Sequence, residues 1–175
     1  MKSFSTRRLC RAGIIAALYT ALTYAFAPLA YGPFQIRPAE ALCILALIYP
    51  EAILALAVGC ALSNLSSPYA FYDVTCGSLI TLIAALLTYF IGQKLKNPTL
   101  KIMLGGLFPV LLNALFIPFV IIFLCDGGGD LVWVAYLSYF CSLALTQSVW
   151  VYGLGAPLYL ATDRLRDKGL RFLCD

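Results

Sequence analysis

The chain has 175 residues, of which 62% are hydrophobic and only 11% are charged, with a formal net charge of +4 at pH 7. Soluble domains carry roughly 25% charged residues, so this composition excludes an ordinary water-exposed surface. The sequence contains no histidine, which excludes zinc, haem or triad chemistry based on that side chain. Uncharged runs in a bilayer must satisfy their backbone hydrogen bonds internally, so we predict an all-α integral membrane protein with six transmembrane helices.

Six apolar segments follow one another along the chain, and a helix needs about 20 apolar residues to cross a membrane. In chain order the segments are residues 12–31, 38–49, 51–65, 73–95, 101–124 and 131–162. The second is short and would cover roughly 18 Å as a helix. The first is longer than the ~7–15-residue apolar region of a signal peptide, and further spans follow it, so we expect it to be retained.

The sixth segment is long for a single span. It is uncharged throughout and would extend roughly 48 Å as one helix, against a hydrocarbon core of ~30 Å. It must tilt, protrude or break, and Gly153–Pro157 is the position at which a break costs least. No tandem repeat or low-complexity linker interrupts the chain, which predicts a single membrane domain over residues 1–175.

The basic residues predict the orientation of these spans, because lysine and arginine favour the cytoplasmic side of a membrane. All but one of the 12 lie before segment one, between segments four and five, or after segment six. They are Lys2, Arg7, Arg8, Arg11, Lys94, Lys96, Lys101, Arg164, Arg166, Lys168 and Arg171. These positions share one side if there are six spans and both termini are cytoplasmic, as in a multi-pass protein of the bacterial cell membrane. Arg37 is the exception and is predicted at the outer face.

Polar residues at the outer ends of the spans indicate a candidate site. Arg37 and Glu40 are three positions apart, so on a helical turn they would be neighbours. They form either an interfacial salt bridge that orients the second helix or part of the wall of a pocket open to the outside. Asn64 closes the third segment, and Asp73 opens the fourth at the same face.

Two amides lie inside the last two spans. Asn113 and Gln147 are near the middle of antiparallel neighbours, so we expect them at similar depth. They are either hydrogen-bonded to each other as helix–helix contacts, worth about 1 kcal/mol, or part of a polar site for a flat, hydrogen-bonding solute. Trp133 and Tyr136, three positions apart, either belong to an interfacial aromatic belt or face inward and stack on a ring.

The first helix carries small residues at four-residue spacing, a pattern that lets another helix approach closely. Ala17, Ala21 and Ala25 form one strip, and Ala12 and Ala16 lie on an adjacent one. The partner of this surface is either another chain or a helix of the same chain. No G-x-x-x-x-G-K-[ST] sequence is present, so if ATP drives uptake, another subunit supplies the ATPase.

Four stretches, in the expected order, resemble the S components of energy-coupling factor (ECF) transporters and, within them, the QueT family. They are Gln35–Leu42, Asp73–Leu82, Pro109–Ala114 and Gly153–Leu158. The resemblance implies an ECF S-component-like bundle that captures a queuosine precursor, a deazaguanine-type base, from outside. It implies a transporter subunit rather than an enzyme, with no catalytic residue, no cofactor and no nucleic acid partner.

The resemblance and the polar positions together give a candidate substrate site. Its residues are Gln35, Arg37, Glu40, Asn64, Asp73, Asn113, Trp133 and Gln147. The implied partners in the lipid bilayer and at its surface are a transmembrane T component and two cytoplasmic ATPases. The T component would contact Ala12, Ala16, Ala17, Ala21 and Ala25. Where Gln147 stands, the family would have an acid that pairs with an amine on the ligand, so a neutral or bulkier base is favoured here over a cationic aminomethyl base.

Three other functions stay open at this point. An S component for a different vitamin would have the same architecture, and only ligand binding would separate the two. A membrane-embedded enzyme would need its acids together, yet Glu51 is predicted at the opposite face from Glu40 and Asp73. A structural membrane subunit would use the intramembrane amides only as contacts between helices.

Overall fold

The computed structural model of the chain describes residues 6–30, 35–125 and 132–168, without the side chains of residues 124, 125 and 167. Throughout these ranges the regular structure is helical and no strand is found, as the all-α prediction requires. The main helices are α1 (Thr6–Ala25), α2 (Pro38–Leu47), α3 (Glu51–Asn64), α4 (Ala70–Lys94), α5 (Pro98–Phe123) and α6 (Val132–Arg166). A single turn, Ala27–Ala30, follows α1.

Three of these helices are long and apolar enough to cross a membrane. Helices α4, α5 and α6 have 25, 26 and 35 residues, and α2 and α3 are shorter apolar helices. Large apolar side chains such as Leu54, Phe71 and Leu145 are 60–75% exposed on the outside of the bundle. A surface of this kind is stable against lipid, so the chain is a membrane protein, and three of the six predicted spans meet the length that a bilayer requires.

Helix α2 forms the centre of the bundle. All ten of its residues are buried, and every other main helix contacts it. It is a 3-10 helix, about 20 Å long at the rise of this form, whereas the sequence indicated only a short helix. Ten residues is long for a 3-10 helix. Its side chains are packed on all sides, so tertiary contacts rather than local propensity hold the tighter winding.

Glycines in the surrounding helices allow a close approach to α2. A Cβ atom on Gly92 of α4 would collide with the backbone carbonyl of Leu47, and one on Gly155 of α6 would lie 2.9 Å from the carbonyl oxygen of Ala41. Backbones therefore meet without intervening side chains at both ends of α2. This contact fixes the position of the polar residues at the start of α2.

Helix α6 shows whether the long sixth segment breaks. It runs without interruption for 35 residues and passes through a π-helical stretch, Val149–Gly155, where the sequence predicted the least costly break. Pro157 lies in the first turn of the α-helical part that follows. A π-helical stretch and a proline at a helix start both accommodate missing i to i−4 hydrogen bonds, so the chain changes its winding and does not break.

Two observed boundaries extend beyond the predicted segments. Helix α1 begins at Thr6 rather than at residue 12, so Arg7, Arg8 and Arg11 belong to the helix. Helix α4 begins at Ala70, and a π-helical turn, Asp73–Gly77, lies inside it. Long basic side chains are tolerated at a helix end because their apolar stems cover the helix while the charge reaches the interface.

Candidate functional site

Glu40 is the centre of a buried polar network at the start of α2. Its side chain is 1% exposed. Oε1 accepts a hydrogen bond of 2.6 Å from the Tyr19 hydroxyl, and the Cys43 thiol lies 3.2 Å from Oε2. Proline at the first helical position and the acid two residues later suit the start of a helix. The network thereby joins α1 to α2 at a fixed point.

Arg37 immediately precedes α2 and is also buried, at 4% exposure. Its Nε donates a hydrogen bond of 3.3 Å to the carbonyl oxygen of Ala30, at the end of the turn that follows α1. Glu40 and Asp73 lie near enough for their charges to stabilise the guanidinium. The structure therefore brings the predicted cation and both predicted carboxylates to one place.

Asn64 and Asp73 meet at the ends of α3 and α4, as the sequence predicted. The Asn64 side chain is 1% exposed, and its Nδ2 donates to the backbone carbonyl of Asp73 at 2.8 Å. The Asp73 carboxylate accepts a short hydrogen bond from the Ser67 hydroxyl in the connecting turn. Within the described part of the chain, Asn64 Oδ1 is buried and has no hydrogen-bond partner.

Asn113 and Gln147 form a second polar contact between α5 and α6. Asn113 Nδ2 donates to Gln147 Oε1 at 3.1 Å, and the two residues are 2% and 1% exposed. Their predicted similarity in depth is confirmed. This contact uses the side-chain oxygen of Gln147, while its Nε2 is buried with no partner in the described ranges. The pair is therefore a helix–helix contact that leaves the Gln147 Nε2 donor unused.

Gln35 lies just before Arg37 and is 6% exposed. Its backbone φ is 44°, in the left-handed region that non-glycine residues rarely adopt. Its Oε1 is a third buried amide atom without a partner among the residues described. Strain of about 1–3 kcal/mol at such a residue is found where the surroundings hold it in place, often at ligand sites.

Trp133 does not face the interior. Its side chain is 71% exposed, and its ring contacts Phe123 and Tyr136 at centroid distances of 6.2 and 6.4 Å. The Tyr136 hydroxyl donates to the carbonyl oxygen of Leu115. These aromatic side chains are on the outside of α5 and α6, which is the position that the aromatic-belt interpretation predicts. The alternative in which Trp133 faces inward and stacks on a ring is therefore wrong.

The small residues of α1 separate into two groups. Ala17, Ala21 and Ala25 are exposed, whereas Ala12 and Ala16 are half-buried and pack against the core between α1 and α3. Among the described residues nothing covers the strip of Ala17, Ala21 and Ala25, whereas Ala12 and Ala16 pack within the chain. Gly13 is four residues before Ala17, is exposed, and has open space around its Cα, so it extends the exposed strip.

Charged residues at the other end of the bundle form a separate pair. Arg11 Nη2 lies 2.7 Å from Glu51 Oε1, with side chains only 3% and 2% exposed, and the guanidinium stacks 4.5 Å from the centroid of the Tyr49 ring. Asp73 and Gly92 of α4 are at opposite ends, roughly 28 Å apart at the rise of a helix. We call the end with Gln35, Asn64 and Asp73 the amide end and the end with Arg11, Glu51 and Gly92 the basic end.

Tyr19 is a residue of the candidate site that the sequence analysis missed. It is 1% exposed and holds Glu40, although in sequence it resembles one more aromatic residue of an apolar span. The sequence did contain a signal for it. Tyr19 lies two positions from both Ala17 and Ala21, which places its hydroxyl on the opposite face of α1 from the alanine strip. Ser67 was also missed, because the sequence does not show whether a serine in a turn is buried or exposed.

The chemistry available at the amide end is hydrogen bonding to a polar, largely neutral molecule. Amide groups supply donors and acceptors, and Arg37 and Glu40 supply one charge of each sign. Glu51 is held by Arg11 at the basic end, so the two glutamates do not share a site. In the described ranges no three Cys, Asp or Glu residues come together as metal ligands.

The comparisons with known proteins identify the same transporter family. The model of the family described as QueT transporter matches residues 9–164 of this chain. The protein named "Queuosine precursor transporter QueT" of Lactococcus lactis subsp. cremoris (strain MG1363) is 34% identical over 99 residues, which are 55% of this chain and 58% of that relative. The match therefore spans less than two thirds of the relative's length. No solved structure matches the chain.

Proposed function

Since this chain belongs to the QueT transporter family, we propose that it is the substrate-binding S component of an ECF-type importer. Its substrate in this proposal is a queuosine precursor, a deazaguanine-type base. The relative whose name specifies a queuosine precursor supports this substrate class. A transporter subunit of this kind binds and releases its ligand and does not transform it.

One observation carries the proposed binding site. Gln35 Oε1, Asn64 Oδ1 and Gln147 Nε2 are buried amide atoms without a partner in the described part of the chain. Leaving such a group unsatisfied costs about 1–3 kcal/mol. A ligand that supplies the missing partners recovers this cost, so these atoms favour a binding site over simple contacts between helices.

The unpartnered atoms suit the edge of a purine-like ring. Such a base presents alternating donors and acceptors in one plane, and the two spare oxygens and one spare Nε2–H₂ group are complementary to that pattern. Arg37 and Glu40 would fix a further edge. We propose the site as Gln35, Arg37, Glu40, Asn64, Asp73, Asn113 and Gln147, with Trp133 in the aromatic belt.

The neutral side chain of Gln147 narrows the choice of ligand within this class. A carboxylate at that position would pair with a protonated amine, whereas an amide offers only hydrogen bonds. We therefore propose a neutral base, or a bulkier neutral relative, over a cationic aminomethyl base.

Energy would come from partner subunits. No P-loop sequence is present, and the exposed strip of α1 offers a surface on which a helix can approach closely. We propose that a transmembrane T component docks on Ala17, Ala21 and Ala25, with Gly13 extending the contact. Ala12 and Ala16 pack on α3 and would shape that surface from behind. Two cytoplasmic ATPases would complete the importer.

The proposed topology is six spans with both termini in the cytoplasm of a bacterial cell membrane. Basic residues at the start of α1, between α4 and α5, at the start of α5 and at the end of α6 line one cavity, which supports their lying on one side. Cysteine labelling of intact cells should modify a cysteine introduced at Gly128, a position outside the described residues, and spare one introduced at Lys96. The reverse labelling pattern would contradict the orientation.

Equilibrium binding to the purified full chain tests the function. Neutral deazaguanine bases, aminomethyl deazaguanines and a panel of vitamins are compared by thermal shift and then by competition binding. We expect a neutral deazaguanine to bind most tightly. Tighter binding of a vitamin would assign the chain to a different substrate class, and no binding by any of them would contradict the S-component proposal.

A matched pair of glutamine variants locates the site. Gln147→Leu removes the spare donor and should weaken binding of the base about tenfold or more. Gln93→Leu removes an exposed amide at the basic end and should leave the affinity unchanged. Equal effects of the two substitutions would show that the base does not bind near Gln147.

A further inference from the structure

A cavity at the basic end has no role in the proposed transport of a base. Its volume is about 810 Å³, and it is bounded by the end of α2, the end of α4 and the start of α5. Four basic side chains from separate parts of the chain line it, and Asp163 is the acidic residue in its wall. The four basic residues are Arg8, Lys96, Lys101 and Arg166. Their convergence makes the cavity strongly positive.

The cavity wall also supplies neutral hydrogen-bond donors. Tyr49, Tyr89 and Tyr159 contribute phenol groups, and Tyr49 and Tyr159 are buried at 5% and 2% exposure. The N-terminus of the long helix α5 begins beside the cavity, where the partial positive charge of the helix adds to that of Lys101. Cationic groups with hydroxyl donors around one space are the chemistry that recognises a phosphate group.

The surroundings of the cavity are apolar on the outside. On α5, Leu100, Met103 and Leu104 flank Lys101 and are 45%, 58% and 41% exposed. Leu165, beside Arg166 on α6, is 42% exposed. A membrane protein presents such side chains to lipid tails. A molecule with a phosphate in the cavity would therefore have its apolar part against this surface.

The cavity is far from the candidate substrate site. Asn113 and Lys101 are twelve residues apart on α5, which is roughly 18 Å along the helix. Asn64 and Glu51 lie at opposite ends of α3, with only Glu51 at the basic end. The two sites therefore have separate walls, and only the cavity has a strong excess of one charge.

We propose that this cavity binds the phosphate headgroup of an anionic phospholipid, whose tails lie along the exposed leucines of α5 and α6. Basic pockets between transmembrane helices at a membrane surface bind such headgroups, and each lysine or arginine near the surface contributes about fivefold in affinity. The lipid holds the ends of α1, α4, α5 and α6 together at the basic end. This site is independent of which base the chain transports.

The test uses the purified full chain in a neutral detergent. Thermal unfolding is followed against dioctanoyl phosphatidylglycerol, dioctanoyl phosphatidylcholine and glycerol phosphate. We expect phosphatidylglycerol to bind at least about tenfold more tightly than either of the others, because only it combines an anionic headgroup with tails. Equal binding of phosphatidylcholine would overturn the anionic specificity. Equal binding of glycerol phosphate would assign the cavity to a soluble phosphate and overturn the lipid.

Two double variants of equal charge locate the binding site. Lys96→Gln with Lys101→Gln removes two cations of the cavity wall and should weaken phosphatidylglycerol binding about tenfold or more. Lys94→Gln with Arg164→Gln removes two exposed neighbours outside the wall and should weaken it less than about threefold. Equal losses would reduce the effect to general surface charge and overturn the site. If the first variant does not fold, Lys96→Gln is compared with Lys94→Gln; the first should weaken binding about fivefold and the second clearly less, and equal losses overturn the site.

Discussion

The amide end and the basic end bury polar groups in opposite ways. At the basic end the buried charges of Arg11 and Glu51 are paired at 2.7 Å. At the amide end Gln35 and Asn64 each keep a buried amide atom without a partner in the described ranges, and Gln147, near the middle of α6, keeps a third. The buried charges of the basic end neutralise each other, although Glu51 Oε2 has no hydrogen-bond partner in the described ranges, whereas the unpartnered atoms of the amide end belong to neutral amides.

The difference follows from the cost of leaving each type of group unpaired. A buried charge without a partner costs several kcal/mol, so folding tolerates it only as a pair. An unsatisfied amide atom costs about 1–3 kcal/mol, which a stable bundle can carry until a ligand arrives. Neutral groups are therefore the ones that a membrane protein can keep ready for a polar ligand.

Helices α1 and α2 are two of the helices that reach from one end to the other. Helix α1 contributes Arg11 to the ion pair and Tyr19 to the Glu40 network, while its exposed strip lies on another face. Helix α2 begins beside Arg37 and ends at the cavity of the basic end. A ligand that changes the position of Glu40 would therefore act through Tyr19 on α1, the helix that carries the proposed docking surface.

The largest effect is expected from breaking the ion pair. Glu51→Gln leaves the buried Arg11 charge without its counter-ion and should lower the free energy of unfolding by about 3–5 kcal/mol. The affinity of the folded fraction for the base should not change. The double variant Arg11→Met with Glu51→Leu should recover most of the loss. A loss below about 1 kcal/mol would mean that the pair behaves as an exposed one and that the two ends do not differ as described.

The next largest effect concerns the exposed strip of α1. Ala17→Leu or Ala21→Leu should abolish co-purification with the T component and ATPases, because a leucine prevents close approach of a helix. Binding of the base should stay intact. Ala161→Leu, at an exposed alanine of α6, is the matched control. Full uptake by the chain expressed alone would contradict the need for these partners.

A smaller effect is expected from the contact that joins α1 to the amide end. Tyr19→Phe removes a hydrogen bond to a buried carboxylate, worth about 1.5–3 kcal/mol of stability. It should also weaken binding of the base by about fivefold, because Glu40 loses its orientation. Tyr24→Phe removes a hydroxyl bonded to the Leu62 carbonyl on the exposed side of α1 and should not change the affinity. If the affinity of Tyr19→Phe for the base is unchanged, Glu40 does not contribute to binding the ligand.

The smallest effect is expected at Gly77. A Cβ atom there would lie 2.9 Å from Asn64 Nδ2, so Gly77→Ala should displace that amide. We expect an affinity loss of about threefold, since one hydrogen bond of about 0.5–1.5 kcal/mol is strained. Gly153→Ala is the control because its Cβ would meet nothing within 4 Å. Competition binding that finds both variants alike would remove Asn64 from the site.

Much of the fold follows from the sequence because lipid imposes strict lengths and polarity. The predicted segment 51–65 is observed as Glu51–Asn64, since Pro50 and Glu51 define a helix start. The 3-10 winding of α2 was not predictable. It depends on glycines of α4 and α6, distant in sequence, that bring backbones against Leu47 and Ala41.

Several buried polar residues could be identified from the sequence, but their contacts could not. Asn113 and Gln147 were identified because amides are rare inside spans and antiparallel neighbours bring them to one depth. Which of their atoms remains without a partner depends on side-chain orientation, which no spacing contains. Trp133 shows the same limit, because three-residue spacing to Tyr136 does not tell which side of α6 faces lipid.

Competition binding to the Gln147→Glu variant tests the proposed base-binding site most directly. The wild-type chain and the variant are each titrated with a neutral deazaguanine and with its cationic aminomethyl analogue. If Gln147 faces the ligand, the wild-type chain prefers the neutral base and the added carboxylate shifts the preference towards the cationic one. An unchanged ranking, together with normal affinity in Asn113→Leu, would contradict a ligand site at these amides.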